Sequence, residues 1–450
     1  MSQSHTDTIF APATAPGIAG VAVIRLSGPH AYSATLDLIR KESLTPRVLH
    51  RADLYHPNTD DLIDRGMAVY FPGPASFTGE DVVELHLHGS AAILQVMGEV
   101  LSHMPHVRWA EPGEFSRRAF DNDKMDLTAA EGLADLLAAE TEAQRQQALQ
   151  QMDGALAKRL DGIRNKGINA LAFMEATIDF PEDELPQDTF DRGRLMVEDL
   201  RQDLSDLIDT AKIGNRIRQG VSLVVVGTPN VGKSSLVNAL AGWDAAIVSS
   251  TAGTTRDRVS VDLVLDGIPI KITDTAGLRD ATDDIEAEGI RRTKVSVQTA
   301  DLKIAVFSAE SWPNLDDPTW QWVDNQTLIV VNKADLNSDA VSMMVETPTE
   351  PVFVSALHQE GLGNLTERLR GNLRSIVTHQ VGESAPLTRE RHRAIAESAI
   401  EALDRALMQD DLELKTEDLR LAVRELGRMT GRVDVEDVLD RIFSEFCIGK

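Results

Sequence analysis

A single cysteine, Cys447, stands among 450 residues, which excludes an internal disulfide and a Cys-rich zinc site and accords with a reducing compartment. Long hydrophobic runs are missing as well. No stretch approaches the roughly 18 apolar residues of a membrane span, and the opening "MSQSHTDTIF" has neither a basic start nor an apolar core. The expectation is a cytoplasmic chain with no signal peptide and no membrane contact. Positive charge is scarce too. Lys and Arg number 45 against 71 Asp and Glu, a net charge of −26, and a field of that sign repels nucleic acid and weakens any whole-surface RNA-binding reading. An RNA partner needs a local basic patch. Arg389, Arg391 and Arg393 of "LTRERHRAI" are the best candidate, although such alternating charges also describe a solvated helix face.

What is present is length for two to four domains, at about 100–200 residues each, and a hydrophobic content of 42% to give each a core. The reading is a multidomain α/β plus all-α protein. Residues 1–120 alternate short apolar runs ("GVAVIRLSG", "GMAVYF", "DVVELHLHG") with Gly and Pro breaks, as an α/β domain does. Helical spacing then holds through about Asp179 and again from Asp191 to Lys212, so residues 121–217 are expected to be the first part of a helical domain. At Gly220 the composition changes to "VSLVVVG", a β-branched run suited to a buried parallel strand. Strand and helix signals alternate from there, giving an α/β domain over residues 218–377. Inside it, "VSVDLVL-DG-IPIKI" predicts a hairpin turning at Asp266-Gly267. Residues 378–450 open on the linker "HQVGESAP" and become helical again, so the α/β domain is expected to be inserted into a helical one.

"GTPNVGKSS" at 227–235 follows the strand and precedes a helical pattern, where a phosphate-binding P-loop must lie. Its glycines let backbone N–H groups close around phosphates, Lys233 reaches the β and γ oxygens, and Ser234 offers a hydroxyl to Mg²⁺. "GTTRD" supplies Thr255 as a second Mg²⁺ hydroxyl, and "DTAG" supplies Asp274 at a strand end and Gly277 as a γ-phosphate sensor. "NKAD" follows the strand "TLIVV"; Asp335 can accept from the N1–H and N2–H₂ edge of guanine, which adenine lacks, so GTP is expected over ATP. The expected GTP contacts are Asn230, Val231, Gly232, Lys233, Ser234 and Ser235; then Ser249, Ser250, Thr251, Ala252, Gly253, Thr254 and Thr255. Asp274, Thr275, Ala276 and Gly277 follow, and Asn332, Lys333, Asp335, Ser355 and Ala356 close the base site. Ras-like switches place a water-positioning glutamine after D-x-x-G, but Leu278 stands here. Glu286, in the acidic run "LRDATDDIEAEG", is either the substitute or a solvated helix residue. Asn230 likewise either ligates a monovalent cation, which would act as an arginine finger does, or only stabilises the loop.

Together with the closing "FCIGK", these motifs make the chain resemble the MnmE (TrmE) family of tRNA-modification GTPases from end to end. "DTIFAPATAPGIAGVAVIRLSG", "FTGEDVVELHLHG" and "EPGEFSRRAFDNDKMDLTAAEGLADLLAAET" carry the resemblance through the N-terminal and helical segments. The family implies an N-terminal tetrahydrofolate-binding domain that dimerises, a helical domain, and an inserted Ras-like GTPase domain whose hydrolysis needs potassium. By matching position it implies a potassium set of Asn230, Ser249, Thr251 and Thr254, with Glu286 acting on water. Arg25, Glu84, Lys124 and Lys450 then hold 5-formyl- or 5,10-methylenetetrahydrofolate, and Cys447 lies beside the one-carbon donor, as a catalytic thiol or as a small buried hydrophobe. The implied partners are a second copy, the FAD-dependent MnmG (GidA) in a heterotetramer, and tRNA. The implied reaction adds a carboxymethylaminomethyl or aminomethyl group to C5 of the wobble uridine. An alternative is an Era- or Der-like GTP-gated RNA-binding assembly factor, which shares the P-loop and "NKAD" logic. A non-enzymatic folate-binding scaffold is a third reading, which would leave the complete GTPase set idle. One departure is "VFSAESWPNLDDPTWQW" at 306–322, with Phe307-Ser308 where such GTPases often place an aspartate.

Overall fold

The computed structural model describes residues 6–179, 189–242, 260–274, 296–314, 317–343, 345–378, 386–433 and 436–444, with Phe446 and Gly449. In chain order the elements begin with β1 (Thr8–Pro12), β2 (Ala19–Ser27), α1 (Ala31–Ile39), β3 (His50–Tyr55), β4 (Leu62–Phe71), β5 (Val82–Gly89), α2 (Ala91–Ser102), β6 (Val107–Trp109) and α3 (Glu114–Asp121). Helices α4 (Leu127–Ala138), α5 (Glu142–Met152), α6 (Ala155–Asp179), α7 (Thr189–Asp209) and α8 (Ala211–Gln219) follow. Next come β7 (Val221–Val226), α9 (Lys233–Ala241), β8 (Ser260–Leu265), β9 (Ile268–Asp274), β10 (Leu302–Ser308), β11 (Thr327–Asn332) and β12 (Val352–Phe353). The chain closes on α10 (Leu362–Thr378), α11 (Glu390–Met408), α12 (Leu412–Met429) and α13 (Glu436–Ser444). Among the described residues no helix is long and apolar enough to cross a membrane.

Contacts divide the chain into two units: Met1–Ala134 with Gln151–Leu185 and Gln409–Lys450, and Asp135–Gln150 with Pro186–Met408. The first holds a six-stranded sheet in the order β3-β4-β5-β2-β1-β6, antiparallel except where β6 runs beside β1. Alternation in β5 shows why one face is buried. Val83, Leu85 and Leu87 enter the core with residues of α1 and α2, while Glu84, His86 and His88 project to the other face. In the same unit α6 packs along α12, and Leu127 and Ala130 join Leu439, Ile442, Phe443 and Phe446 in a second cluster.

The second unit holds the sheet β12-β11-β10-β7-β9-β8, parallel except for β8. Its central strands β7, β10 and β11 are buried on both faces, which is why "VSLVVV" and "TLIVVN" read as nearly continuous apolar runs. The hairpin expected at Asp266-Gly267 is there: both residues have positive φ, 53° and 76°, as a type I′ turn requires, and Leu265 pairs with Ile268. Strand β7 lies between β10 and β9. The chain leaves β7 towards β8 and β9 on one side and crosses from β9 to β10 on the other, and the cleft beyond the C-terminal end of β7 is where an open α/β sheet receives a ligand.

Candidate functional site

The P-loop leaves β7 at that cleft and runs into the first turn of α9. The leading N–H groups of α9 have no intrahelical acceptor and face the loop, a ready seat for anionic phosphates. Gly232, at φ 91°, makes the last bend, and a Cβ added there would stand 2.3 Å from Nδ2 of Asn332. Lys233 is buried, and its Nζ donates to the carbonyls of Gly227 and Thr228, both at 3.0 Å. The loop thus holds its cation folded against its own backbone. Val231 is buried, whereas Asn230, Ser234 and Ser235 are exposed at the rim; Asn230 takes a left-handed φ of 65°. Asp274 ends β9, and its backbone lies in register with Val225, at the same sheet end. Ser249, Ser250, Thr251, Ala252, Gly253, Thr254, Thr255, Thr275, Ala276, Gly277 and Glu286 lie outside the described residues.

The base motif is tied to this loop by one side chain. Asn332 Nδ2 donates to the carbonyl of Val231 at 2.9 Å, and its Oδ1 accepts from the N–H of Ala356 at 3.1 Å. Its amide therefore joins P-loop, "NKAD" and "VSAL" as a strut. The hydroxyl of the buried Ser355 donates to the Asp335 carboxylate and holds its pKa below the ordinary value, so at neutral pH Asp335 is an ionised double acceptor. Asp335→Asn exchanges that acceptor for a donor facing guanine N1–H and N2–H₂, a mismatch costing about 1–3 kcal/mol. GTP affinity is expected to fall at least about tenfold, with a gain for xanthosine triphosphate; a titration showing equal GTP binding would refute the base assignment.

The sequence did not point to two further residues near the site. Lys333 Nζ pairs with Glu310 Oε2 at 3.0 Å, and Thr228 Oγ1 lies 3.4 Å from Asp317 Oδ2. Both acids come from the unusual Trp-bearing segment. That segment lays Trp312 and Trp320 against Phe307 on the sheet, ring centroids 5.5 and 4.6 Å away. No sequence signal marks Glu310 or Asp317, because the segment's acids look alike until it is folded onto the strands.

The first unit brings together two of the expected folate residues. Arg25 on β2 lies opposite Glu84 on β5, and its Nε and Nη2 donate to Glu84 Oε1 at 3.0 and 2.9 Å. Lys124 is exposed, and its Cε would stand 3.1 Å from a Cβ placed on Gly79. Cys447 and Lys450 lie outside the described residues. Phe446 is buried against the α13 cluster, and Gly449, at φ 100°, sits so close to β1 that a Cβ would fall 2.1 Å from the carbonyl oxygen of Pro12. Two of the three arginines of the candidate RNA patch are paired with carboxylates: Arg389 with Asp135 at 2.9 Å, and Arg393 with Glu390 and Glu397 at 3.2 and 3.3 Å.

Comparison with known proteins agrees with this arrangement. A family model for the "GTP-binding protein TrmE N-terminus" matches residues 8–124, and one for the "MnmE helical domain" matches residues 127–447. The chain is 48% identical to the tRNA modification GTPase MnmE of Rhodospirillum rubrum, covering 99% of each, and 46% identical to that of Paramagnetospirillum magneticum, covering 99% of this chain and 100% of the relative. It is 40% identical to the mitochondrial 5-taurinomethyluridine-tRNA synthase subunit GTPB3 of Danio rerio, covering 99% and 93%. Among solved structures, Era in complex with MgGDPNP and a 16S ribosomal RNA segment matches with a TM-score of 0.27 and 24% identity over 42% of this chain and 68% of Era. With a helical-domain match over most of its length, and relatives this similar from end to end, the chain belongs to the MnmE (TrmE) family of tRNA modification GTPases.

Proposed function

We propose that GTP hydrolysis in this chain is potassium-dependent and drives, with the FAD-dependent partner MnmG, the addition of a carboxymethylaminomethyl or aminomethyl group to C5 of a tRNA wobble uridine. The observation that carries the reading is the seat of Gly449. It rests on Pro12, and β1 pairs Pro12 with Ile24 and Ala11 with Arg25. Gly449 of the C-terminal signature therefore sits against β1, the strand next to the β2 strand that bears Arg25, which supports a role for the tail at the Arg25–Glu84 site.

The side chains present fit a tetrahydrofolate. The N–H fork of Arg25 and the carboxylate of Glu84 complement the alternating acceptors and donors of a pteridine edge, and Lys124 suits the carboxylates of a glutamyl tail. Bound there, the folate would supply a one-carbon unit; Arg25, Glu84, Lys124 and Lys450 bind and orient it, and Cys447 stands next to it. In the GTPase unit the donors are oxygens, as hard cations require: Ser234 and Thr255 for Mg²⁺, and Asn230, Ser249, Thr251 and Thr254 for K⁺. Lys233 offsets charge on the phosphates, and Glu286 orients the attacking water in place of a glutamine. The chain works as a homodimer and assembles with MnmG into a heterotetramer acting on tRNA. The pairing of Arg389 and Arg393 with carboxylates weakens the basic patch that an Era- or Der-like reading would need.

Mass analysis of tRNA from cells lacking this protein tests the reading. Wobble uridines are expected to lose the C5 group, and full modification would overturn it. For the cation, hydrolysis is expected to be at least about tenfold faster in K⁺ than in Na⁺, because the smaller Na⁺ fits oxygens spaced for K⁺ poorly and so does not hold its charge where it acts on the transferring phosphate. Asn230→Ala is expected to erase the difference with nucleotide binding largely retained. Equal turnover in both salts would remove Asn230 from a cation site.

A further inference from the structure

One loop between β4 and β5 approaches two of the described residues of the candidate folate site, Arg25 and Lys124. The ring of Phe77 is 37% exposed, and the guanidinium carbon of Arg25 lies 5.5 Å from its centroid. The fully buried Phe115 flanks the same guanidinium at 5.8 Å. Two residues on, Gly79 lies beneath the stem of Lys124, and Asn122 Nδ2 donates to the carbonyl of Thr78 at 2.7 Å. The loop is anchored from below by a chain of polar groups. Thr78 donates its hydroxyl to Ser27 at 2.7 Å, and Ser27 donates to Glu80 Oε2 at 2.7 Å. Glu80 takes Nη1 of Arg118 at 3.1 Å, while Nη2 of the same guanidinium meets Asp7 Oδ1 at 2.9 Å and Glu114 Oε1 at 3.0 Å. Arg118 is fully buried.

A buried charged cluster of this kind adds little stability over an apolar packing of the same volume. What it does supply is a fixed geometry, and the geometry it sets is that of the loop above it. That loop leaves Phe77 partly exposed beside a guanidinium already paired with a carboxylate. A flat heterobicycle with a polar edge fits both: its edge meets Arg25 and Glu84, and its ring stacks on the neighbouring π face.

We propose that Phe77 is the face on which the pteridine ring stacks, and that Arg118 is a positioning residue that sets this face through Glu80, Ser27 and Thr78. The assignment rests on the folate reading given above. It is tested by titrating 5-formyltetrahydrofolate into the full-length protein, with thermal unfolding as the control for folding. Phe77→Leu, which keeps an apolar side chain but removes the π face, is expected to weaken binding about tenfold, and Phe77→Tyr to stay within about twofold of the native protein. Glu80→Gln, milder than any change at the buried Arg118, keeps an acceptor for Ser27 and gives up the ion pair; it is expected to weaken binding as well. Combined with Phe77→Leu, its effect is expected to be less than the product of the two, because both act through one ring.

Native affinity in Phe77→Leu would overturn the stacking role, and independent, multiplying effects in the double variant would overturn the positioning role. If the native protein does not bind the ligand, or if Arg25→Ala and Glu84→Gln bind it unchanged, the folate reading falls and this assignment with it. Loss in those two variants with full binding in Phe77→Leu sinks only the assignment made here.

Discussion

Lys233→Met is expected to lower single-turnover GTP hydrolysis by about 10²–10³, the range seen when one preorganised donor to a developing charge is removed. Methionine keeps the length of the stem in a buried slot, so packing is nearly conserved and the charge is the main loss. In the present structure the ammonium is held by the carbonyls of Gly227 and Thr228. Both belong to the P-loop itself, so the ammonium is held at the loop in which the motif expects the phosphates. Binding of a fluorescent GTP analogue is expected to weaken too, since the lysine meets the ground state as well as the transition state. A loss of turnover below about tenfold would mean that α9's N-terminus and the metal ion carry the charge without it.

Gly449→Ala is expected to abolish tRNA modification almost as completely as removing "CIGK", with GTP hydrolysis within about twofold of normal. The added methyl would fall 2.1 Å from the Pro12 carbonyl oxygen and 3.0 Å from its carbon, both backbone atoms of a paired strand that cannot yield. A left-handed φ of 100° is also unfavourable for alanine, by roughly 1–2 kcal/mol. Gly449 must then leave β1, and on the proposed reading Cys447 and Lys450 are lost to the folate site with it. The GTPase domain has its own sheet and core, so its activity reports on folding separately. Comparing Cys447→Ala with Cys447→Ser divides the remaining question: activity in Ala alone points to packing, and loss in both points to the thiol. Full modification by Gly449→Ala would show that the tail's seat is irrelevant to the reaction.

Much of the nucleotide site was legible because its requirements are local. A P-loop needs a strand, a glycine bend, a lysine and a helix start within a dozen residues, and the chain states them in order. The Asp266-Gly267 hairpin was legible for the same reason, since two consecutive positive φ angles leave few residue choices. Glu310 and Asp317 were not, because their proximity to Lys333 and Thr228 depends on how the Trp-bearing segment lies across the strands.

The sequence by itself determined the helical and strand periods, the guanine-nucleotide motifs and the family, since each is set by neighbours along the chain and by the chemistry of single side chains. Only the tertiary structure decided which charges are partners. Arg117 and Arg118 are adjacent in "FSRRAF", yet one is 37% exposed and pairs with Asp440, while the other is fully buried among three carboxylates. One residue turns about 100° around a helix, so the choice of which arginine enters the core depends on where the sheet lies. The Arg25–Glu84 pair spans 59 residues and exists through strand register alone. The seat of Gly449 likewise depends on a carbonyl of β1, more than 400 positions away along the chain, a distance across which no local preference acts.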